Sequence, residues 1–288
     1  MSFVVSLFTT VCITVVGVTG VFLITGLTGM FSLGQASFMA IGAYAAGVLA
    51  VTRGVPFPLA AAAGVALAAL AAFIVGIPTI RLRRDYIALV TFGFGEAIIA
   101  ILNNTVQITG GAMGLMGIPM YTTAPLAFVS AVVCVALAWN FKRSRFGRQC
   151  LALKSDELAA RAMGIDVDRL KMTAFVLSAA VTGYAGVLYA FYTSYVEPNN
   201  FNWTKSAEWI IMVFFGGIGS LSGAVLSALV LGALPEVLRF AAAWRIVAYC
   251  VIVLAVINYR PSGIFGESEL DDLRMHLIAR RKRRGGVS

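Results

Sequence analysis

Residues 1 to 52 contain no acid and no base, and this uncharged run constrains the fold more than any other feature. It is more than twice the ~20 residues that a helix needs to cross a hydrocarbon core, and apolar runs of similar length follow it. Within lipid every backbone N–H and C=O must be satisfied internally, so such runs become helices. The chain is 60% hydrophobic and 12% charged, with a mean hydropathy of +0.90, where soluble domains carry roughly 25% charged residues. These features predict an all-α polytopic membrane protein of about eight or nine transmembrane helices, some broken or re-entrant, with a short cytoplasmic helix between two of them.

Charge divides the apolar runs into spans near 3–25, 30–50, 57–78, 86–108, 124–141 and 172–193, a broken pair near 207–219 and 222–239, and a last span at 244–260. Of the 22 Lys and Arg residues, 17 fall in three segments: three at 81–84, eight at 142–171 and six at 274–284. Basic clusters flanking apolar spans mark the cytoplasmic side. That rule puts 142–171 and the tail in the cytoplasm and, counting backward, the N-terminus outside. The chain divides into a membrane domain, 1–266, with the 142–171 loop inside it, and a basic cytoplasmic tail, 267–288. No Lys or Arg precedes Val4 and no clear cleavage site follows the first apolar run, so that run is expected to be a retained span rather than a secretory signal.

The net charge of +9 does not signify nucleic-acid binding, because the bases sit beside spans without interleaved aromatics. Anionic lipid headgroups are the natural partner of the Arg-rich tail. Cys12, Cys134, Cys150 and Cys250 form no CxxC pair and read as small buried hydrophobes rather than disulfide or metal ligands. The sequence has no Gly-Lys pair, hence no phosphate-binding loop, and no HExxH or GxSxG motif. No catalytic, cofactor or metal site is expected, and the chain is read as a non-enzyme.

The 142–171 island contains a short helix signal from Ser155 to Gly164. Ser155 can cap it, Asp156 and Glu157 suit the positive end of the helix dipole, and Gly164 can supply a left-handed stop. Glu157 and Arg161 are one turn apart, and Leu158, Ala159, Ala162 and Met163 make a narrow apolar strip. So short a helix is not stable alone, so it is expected to pack on a partner.

Glycines break the spans in order: Gly26, Gly29 and Gly34 before Gln35 and Ser37, Gly110 and Gly111 after the fourth span, and Gly216, Gly217 and Gly219 in the broken pair. Small residues allow close helix packing, while broken helices at membrane depth also line transport routes. Glu96 is the only acid inside an unbroken apolar span. It can serve as an interhelical hydrogen-bonding group, a pathway wall or an ion-coupling carboxylate, with Asn103 two turns on. Gln35 divides between helix glue and cavity wall. Gln35, Ser37, Glu96, Asn103, Gly110, Gly111, Gly216, Gly217 and Gly219 form the candidate translocation set.

Several of these blocks together resemble the permease subunits of bacterial branched-chain amino acid ABC importers, of the LivM type. They run in order over about 240 residues: Gly26-Leu27-Thr28-Gly29-Met30-Phe31-Ser32-Leu33-Gly34-Gln35, Arg81 to Glu96, Thr109-Gly110-Gly111, Ser144 to Gly164, Gly216-Gly217-Ile218-Gly219-Ser220, and Arg260-Pro261-Ser262-Gly263-Ile264-Phe265-Gly266. The resemblance implies a multi-pass protein of the bacterial inner membrane that works by alternating access. Its implied partners are a second, LivH-like permease, two cytoplasmic ATPase subunits that carry the ATP and Mg, and a periplasmic substrate-binding protein. It also implies that Gly147, Ser155, Asp156, Glu157, Ala159, Ala160, Met163 and Gly164 belong to a coupling segment that fits a groove on an ATPase. Related permeases carry urea or short amides, which stand as alternative substrates. A carrier driven by ions through Glu96 is an alternative mechanism.

Overall fold

A computed structural model of the chain describes residues 3–82 and 84–237, together with Leu254. The span expected at 244–260 (apart from Leu254), the tail at 267–288 and Cys250 lie outside the described residues. Eleven helices occur in this part of the chain, in the order α1 (Phe3–Val21), α2 (Gln35–Arg53), α3 (Phe57–Thr79), α4 (Arg84–Asn104), α5 (Val106–Thr109), α6 (Ala124–Arg143), α7 (Arg145–Ser155), α8 (Glu157–Ala162), α9 (Val167–Thr193), α10 (Trp203–Gly216) and α11 (Leu221–Val237). Six of them are long and apolar enough to cross a membrane, α1 being extended for this purpose by a π-helical segment, Phe22–Gly26. The architecture is that of an all-α polytopic membrane protein.

The uncharged first run becomes the centre of the bundle. Of its most apolar window 83% is buried, against 17% for α4 and 28% for α6. α1 packs on α9, α11, α6 and α10, while α9 also packs on α2 and α3. The outer helices α3, α4 and α6 turn large apolar side chains outward, among them Leu59, Leu70, Leu89, Ile101, Val133 and Leu137, as lipid contact demands. α2 and α9 approach closely because Gly42 lies against the Gly183 carbonyl and Gly186 against that of Met39, leaving no room for a side chain at either glycine.

Two contacts set the direction of α1. The Ser6 hydroxyl meets the Tyr192 hydroxyl at 2.5 Å, and Gly20 sits beside Thr182, so α1 runs antiparallel to α9. The start of α1 therefore lies at the end of the bundle opposite α7 and α8. That opposite end is clasped by a two-residue antiparallel ladder, β1 (Leu115–Met116) with β2 (Tyr195–Val196).

Chain breaks fall near the expected places with shifted edges. The second span starts at Gln35 rather than near residue 30, because 27–34 is largely non-helical although buried almost throughout. Its backbone is held by protein, as irregular chain at membrane depth must be: the Leu33 amide donates to Thr91 Oγ1 at 3.1 Å. α10 has 14 residues, about 21 Å of helix, and falls short of a hydrocarbon core. It descends from the clasped end, turns at 217–220, and α11 returns.

Candidate functional site

The polar segment between α6 and α9 folds as two helices. Ser144 ends α6 and caps α7, its hydroxyl accepting the Gly147 amide at 3.2 Å. A side chain at Gly147 would strike the carbonyls of Phe141 and Lys142, so this sharp turn needs glycine there. Gly147, Cys150 and Leu153 form the buried face of α7. Burial pushes the Cys150 thiol up to about 11, which leaves it protonated and inert at neutral pH.

α8 starts at Glu157, and its cap is Asp156 rather than Ser155. The Asp156 carboxylate accepts the amides of Leu158 at 2.8 Å and Ala159 at 3.1 Å. Ser155 lies in the last turn of α7 and donates to the Leu151 carbonyl. The helix running in from Arg145 leaves Ser155 no free first turn to cap. Gly164 takes the expected left-handed conformation, φ +77°.

One side of α8 is tied down and the other is bare. Ala160 is buried. Glu157 accepts from Lys171 at 2.8 Å and Arg161 at 3.2 Å, and Arg161 also reaches Asp168 at 2.8 Å. Burial alone would raise the Glu157 carboxyl, but the hydrogen bond and charge of Lys171, then those of Arg161, outweigh it and hold it below the ordinary value. On the bare side Leu158 is 79% and Met163 83% exposed, with Ala159 and Ala162 between them also exposed.

Sequence reasoning missed two lysines at the ends of α6 and α7. Lys142 Nζ donates to the Gly219 carbonyl at 2.5 Å and stands 5.7 Å from the centre of the Phe22 ring. Lys154 Nζ donates to the Gly26 carbonyl at 3.1 Å and lies 3.5 Å from that of Ile218. The available signal was position, since each occupies the last turn of its helix.

The candidate translocation residues stand in four places among the described residues. Gln35 and Ser37 are interior: Gln35 Oε1 accepts from Thr182 at 3.0 Å and Ser178 at 3.2 Å, while its Nε2 is buried with no partner among the described residues. Ser37 donates to the Gly34 carbonyl at 2.6 Å. Asn103, half-buried, lies beside Gly111 near the clasped end, where Gly110 and Gly111 adopt φ +76° and +60°.

Gly216, Gly217 and Gly219 lie at the α7–α8 end. A side chain at Gly216 would collide with the Gly223 backbone, so α10 and α11 meet there. Gly217 has φ +115°. Glu96 belongs to none of these groups. It is exposed on the outward face of α4, with Tyr86, Leu89, Gly93, Ala97 and Ala100, and Gly93 has open space beyond it.

Toward the clasped end a cavity of about 270 Å³ is lined by Thr10, Thr14, Met39, Asn200, Lys205 and Trp209, among others. Lys205 pairs with Glu208 at 2.9 Å. The Trp209 side chain is 1% exposed, and its indole N–H has no partner among the described residues. A mixed apolar and hydrogen-bonding lining suits a small amphipathic guest.

Comparison with known proteins places these features in company. The family model described as "Branched-chain amino acid transport system / permease component" matches residues 3–257. The high-affinity branched-chain amino acid transport system permease protein LivM of Escherichia coli (strain K12) is 32% identical over 279 residues. That match takes in 85% of this chain and 66% of LivM, so the chain spans just under two thirds of that relative's length. A probable branched-chain amino acid transport permease protein LivM of Methanocaldococcus jannaschii is 26% identical, over 71% of this chain and 68% of its own. The LivH permease of Salmonella typhimurium is 28% identical, over 65% of this chain and 61% of its own.

Proposed function

Because the chain belongs to the branched-chain amino acid transport permease family, we propose that it is the membrane-spanning subunit of an ATP-binding cassette importer for branched-chain amino acids. In this reading it sits in the bacterial inner membrane beside a LivH-like permease. Two cytoplasmic ATPases carry the ATP and Mg, and a periplasmic protein delivers the substrate. The likeness of this one chain to both a LivM and a LivH supports a paired transporter whose halves share a build.

The observation that carries the reading is the bare apolar strip of α8. Leu158, on a six-residue helix, and Met163, which caps its C-terminal end, stand largely exposed, and so short a helix could not hold its shape alone. Its other side is strapped to α9 through Lys171, which is only 3% exposed. Burying each of the two side chains in a partner's groove contributes about 1.5–3 kcal/mol, and the strap makes the helix a rigid handle. Closure of the ATPase pair moves α8, and the bundle reorients. The cations around α7 and α8 support a cytoplasmic position for this end, with the clasped end, its cavity and the start of α1 outside.

Glu96 gains a role on the same reading. A carboxylate facing lipid at membrane depth is costly, whereas one facing a seam between two permeases meets water and substrate. The small residues Gly93, Ala97 and Ala100 beside it let a partner approach, and its charge suits the ammonium group of a compact zwitterion passing along the seam.

The test is co-purification. Leu158→Glu and Met163→Glu should each release the ATPase subunits from the permease pair while the permease folds normally in detergent. Full retention of the ATPases by both variants would reject the assignment of α8 as their docking element.

A further inference from the structure

Resting on the docking role given to α8, we infer that Lys142 and Lys154 are positioning residues that clamp the α7–α8 handle to the two chain breaks it must move. Each lysine closes a helix bounding the turn at 144 or the handle itself. Each places its ammonium on backbone carbonyls elsewhere in the chain: Gly219 for Lys142, and Gly26 with Ile218 for Lys154. Those carbonyls have a common origin. Gly26 ends the π-helical extension of α1, and Ile218 and Gly219 follow the end of α10 at Gly216.

Helix C-termini expose unsatisfied carbonyls and carry the negative end of the helix dipole. Two helix ends, from the central α1 and the short α10, thus converge on cations supplied by the last turns of α6 and α7. A charged donor strengthens a hydrogen bond; that of Lys142 is short, while Lys154 divides between two longer ones, at 3.1 and 3.5 Å.

The geometry also explains why the breaks lie where they do. An unbroken helix would spend its carbonyls on its own ladder. Gly217, at the positive φ of +115°, stops α10, and the π segment shifts the hydrogen-bond pattern at the end of α1. Both breaks present carbonyls to a donor from the handle. When an ATPase displaces α8, α7 carries Lys154 with it, and the 217–220 turn and the end of α1 follow. Snorkelling alone, with the ammonium groups seeking headgroup phosphates, would require only positive charge near the interface; here both ammonium groups point to carbonyls of the protein.

The experiment uses the whole complex, both permeases with both ATPases, in liposomes supplied with the binding protein. Uptake and ATP hydrolysis are measured together. Lys154→Gln should lower uptake per ATP hydrolysed by about tenfold while the ATPases still co-purify, and Lys154→Arg should restore most of it. Lys142→Gln provides the same reading if the first variant does not assemble. A nitroxide at position 218 should change its mobility on addition of ATP in the parent complex and stay still in Lys154→Gln.

An unchanged ratio of uptake to hydrolysis in both glutamine variants, with the nitroxide still responding, overturns the clamp. If that result comes while Leu158→Glu still releases the ATPases, the clamp alone fails. If Leu158→Glu and Met163→Glu both leave the ATPases bound, the docking role fails and takes the clamp with it.

Discussion

Lys171 of α9, nearly buried, donates to the Glu157 carboxylate of α8 at 2.8 Å, joining the handle to the longest of the described helices. A second ion pair on the solvent side, Arg161 of α8 with Asp168 of α9 at 2.8 Å, reinforces the joint, and Arg161 also reaches Glu157. A nearly buried ammonium that loses its carboxylate is costly, so the pair has leverage beyond its Coulomb energy.

Glu157→Gln keeps the size of the side chain and one acceptor while removing the charge. Hydrogen exchange at the α8 amides should accelerate by about tenfold in this variant, with exchange in α2 unchanged. Unaltered protection of α8 would show that Lys171 does not fasten it.

Acidification should loosen the same joint. The Glu157 carboxyl is held below its ordinary value of 4.5, so its contribution to stability is complete above that value and fades as pH falls through the lowered one. Limited proteolysis between α8 and α9 should accordingly stay slow through the neutral and mildly acidic range and speed up only below 4.5. Acceleration already near neutrality would rule out Glu157 as the titrating group.

Gly42→Val tests the contact of α2 with α9. A Cβ at Gly42 would fall on the Gly183 carbonyl, and backbone cannot step aside as a flexible side chain can. Overpacking of this sort costs about 1–3 kcal/mol. Thermal unfolding of the detergent-solubilised protein should shift to lower temperature, and a parental Tm would contradict the close packing.

Glu96→Gln should lower uptake by about fivefold, on the order of 1 kcal/mol, without changing Tm or ATPase co-purification. A fall in Tm with normal uptake would make Glu96 a packing residue at the subunit seam.

Gly217→Ala forces a side chain into φ +115°, a sparsely populated region that costs an L-residue about 1–3 kcal/mol. The expected result is a lowered Tm. Gly216→Ala should lower it as well, since its Cβ meets the Gly223 backbone.

The main spans were legible because hydrocarbon demands uninterrupted apolar helix, and that demand leaves a composition signal at 57–78 and 124–141 almost to the residue. The left-handed stop at Gly164 was legible for a local reason, since few residues other than glycine accept that backbone. Asp156 displaced Ser155 as cap because two capping residues stand side by side, and only the incoming α7 decides between them. The clasp of β1 with β2 was invisible, two residues being too few to show an alternating pattern. Lys142 and Lys154 read as membrane-edge charges because their acceptors are backbone carbonyls, which leave no trace in residue type. The scatter of Gln35, Glu96, Gly110 and Gly217 over four locations has the same origin: a polar or small residue in a span declares a special environment without saying which.

The interior position of α1 bears on how the molecule is assembled. Its neighbours α6, α9, α10 and α11 all follow it in the chain, so the segment made earliest among the described helices is enclosed by segments made much later. Until α9 and the α10–α11 hairpin have been inserted, α1 has only lipid and its earlier neighbours around it. Its lack of charge suits it to that wait, and maturation of the bundle is completed from the C-terminal side inward.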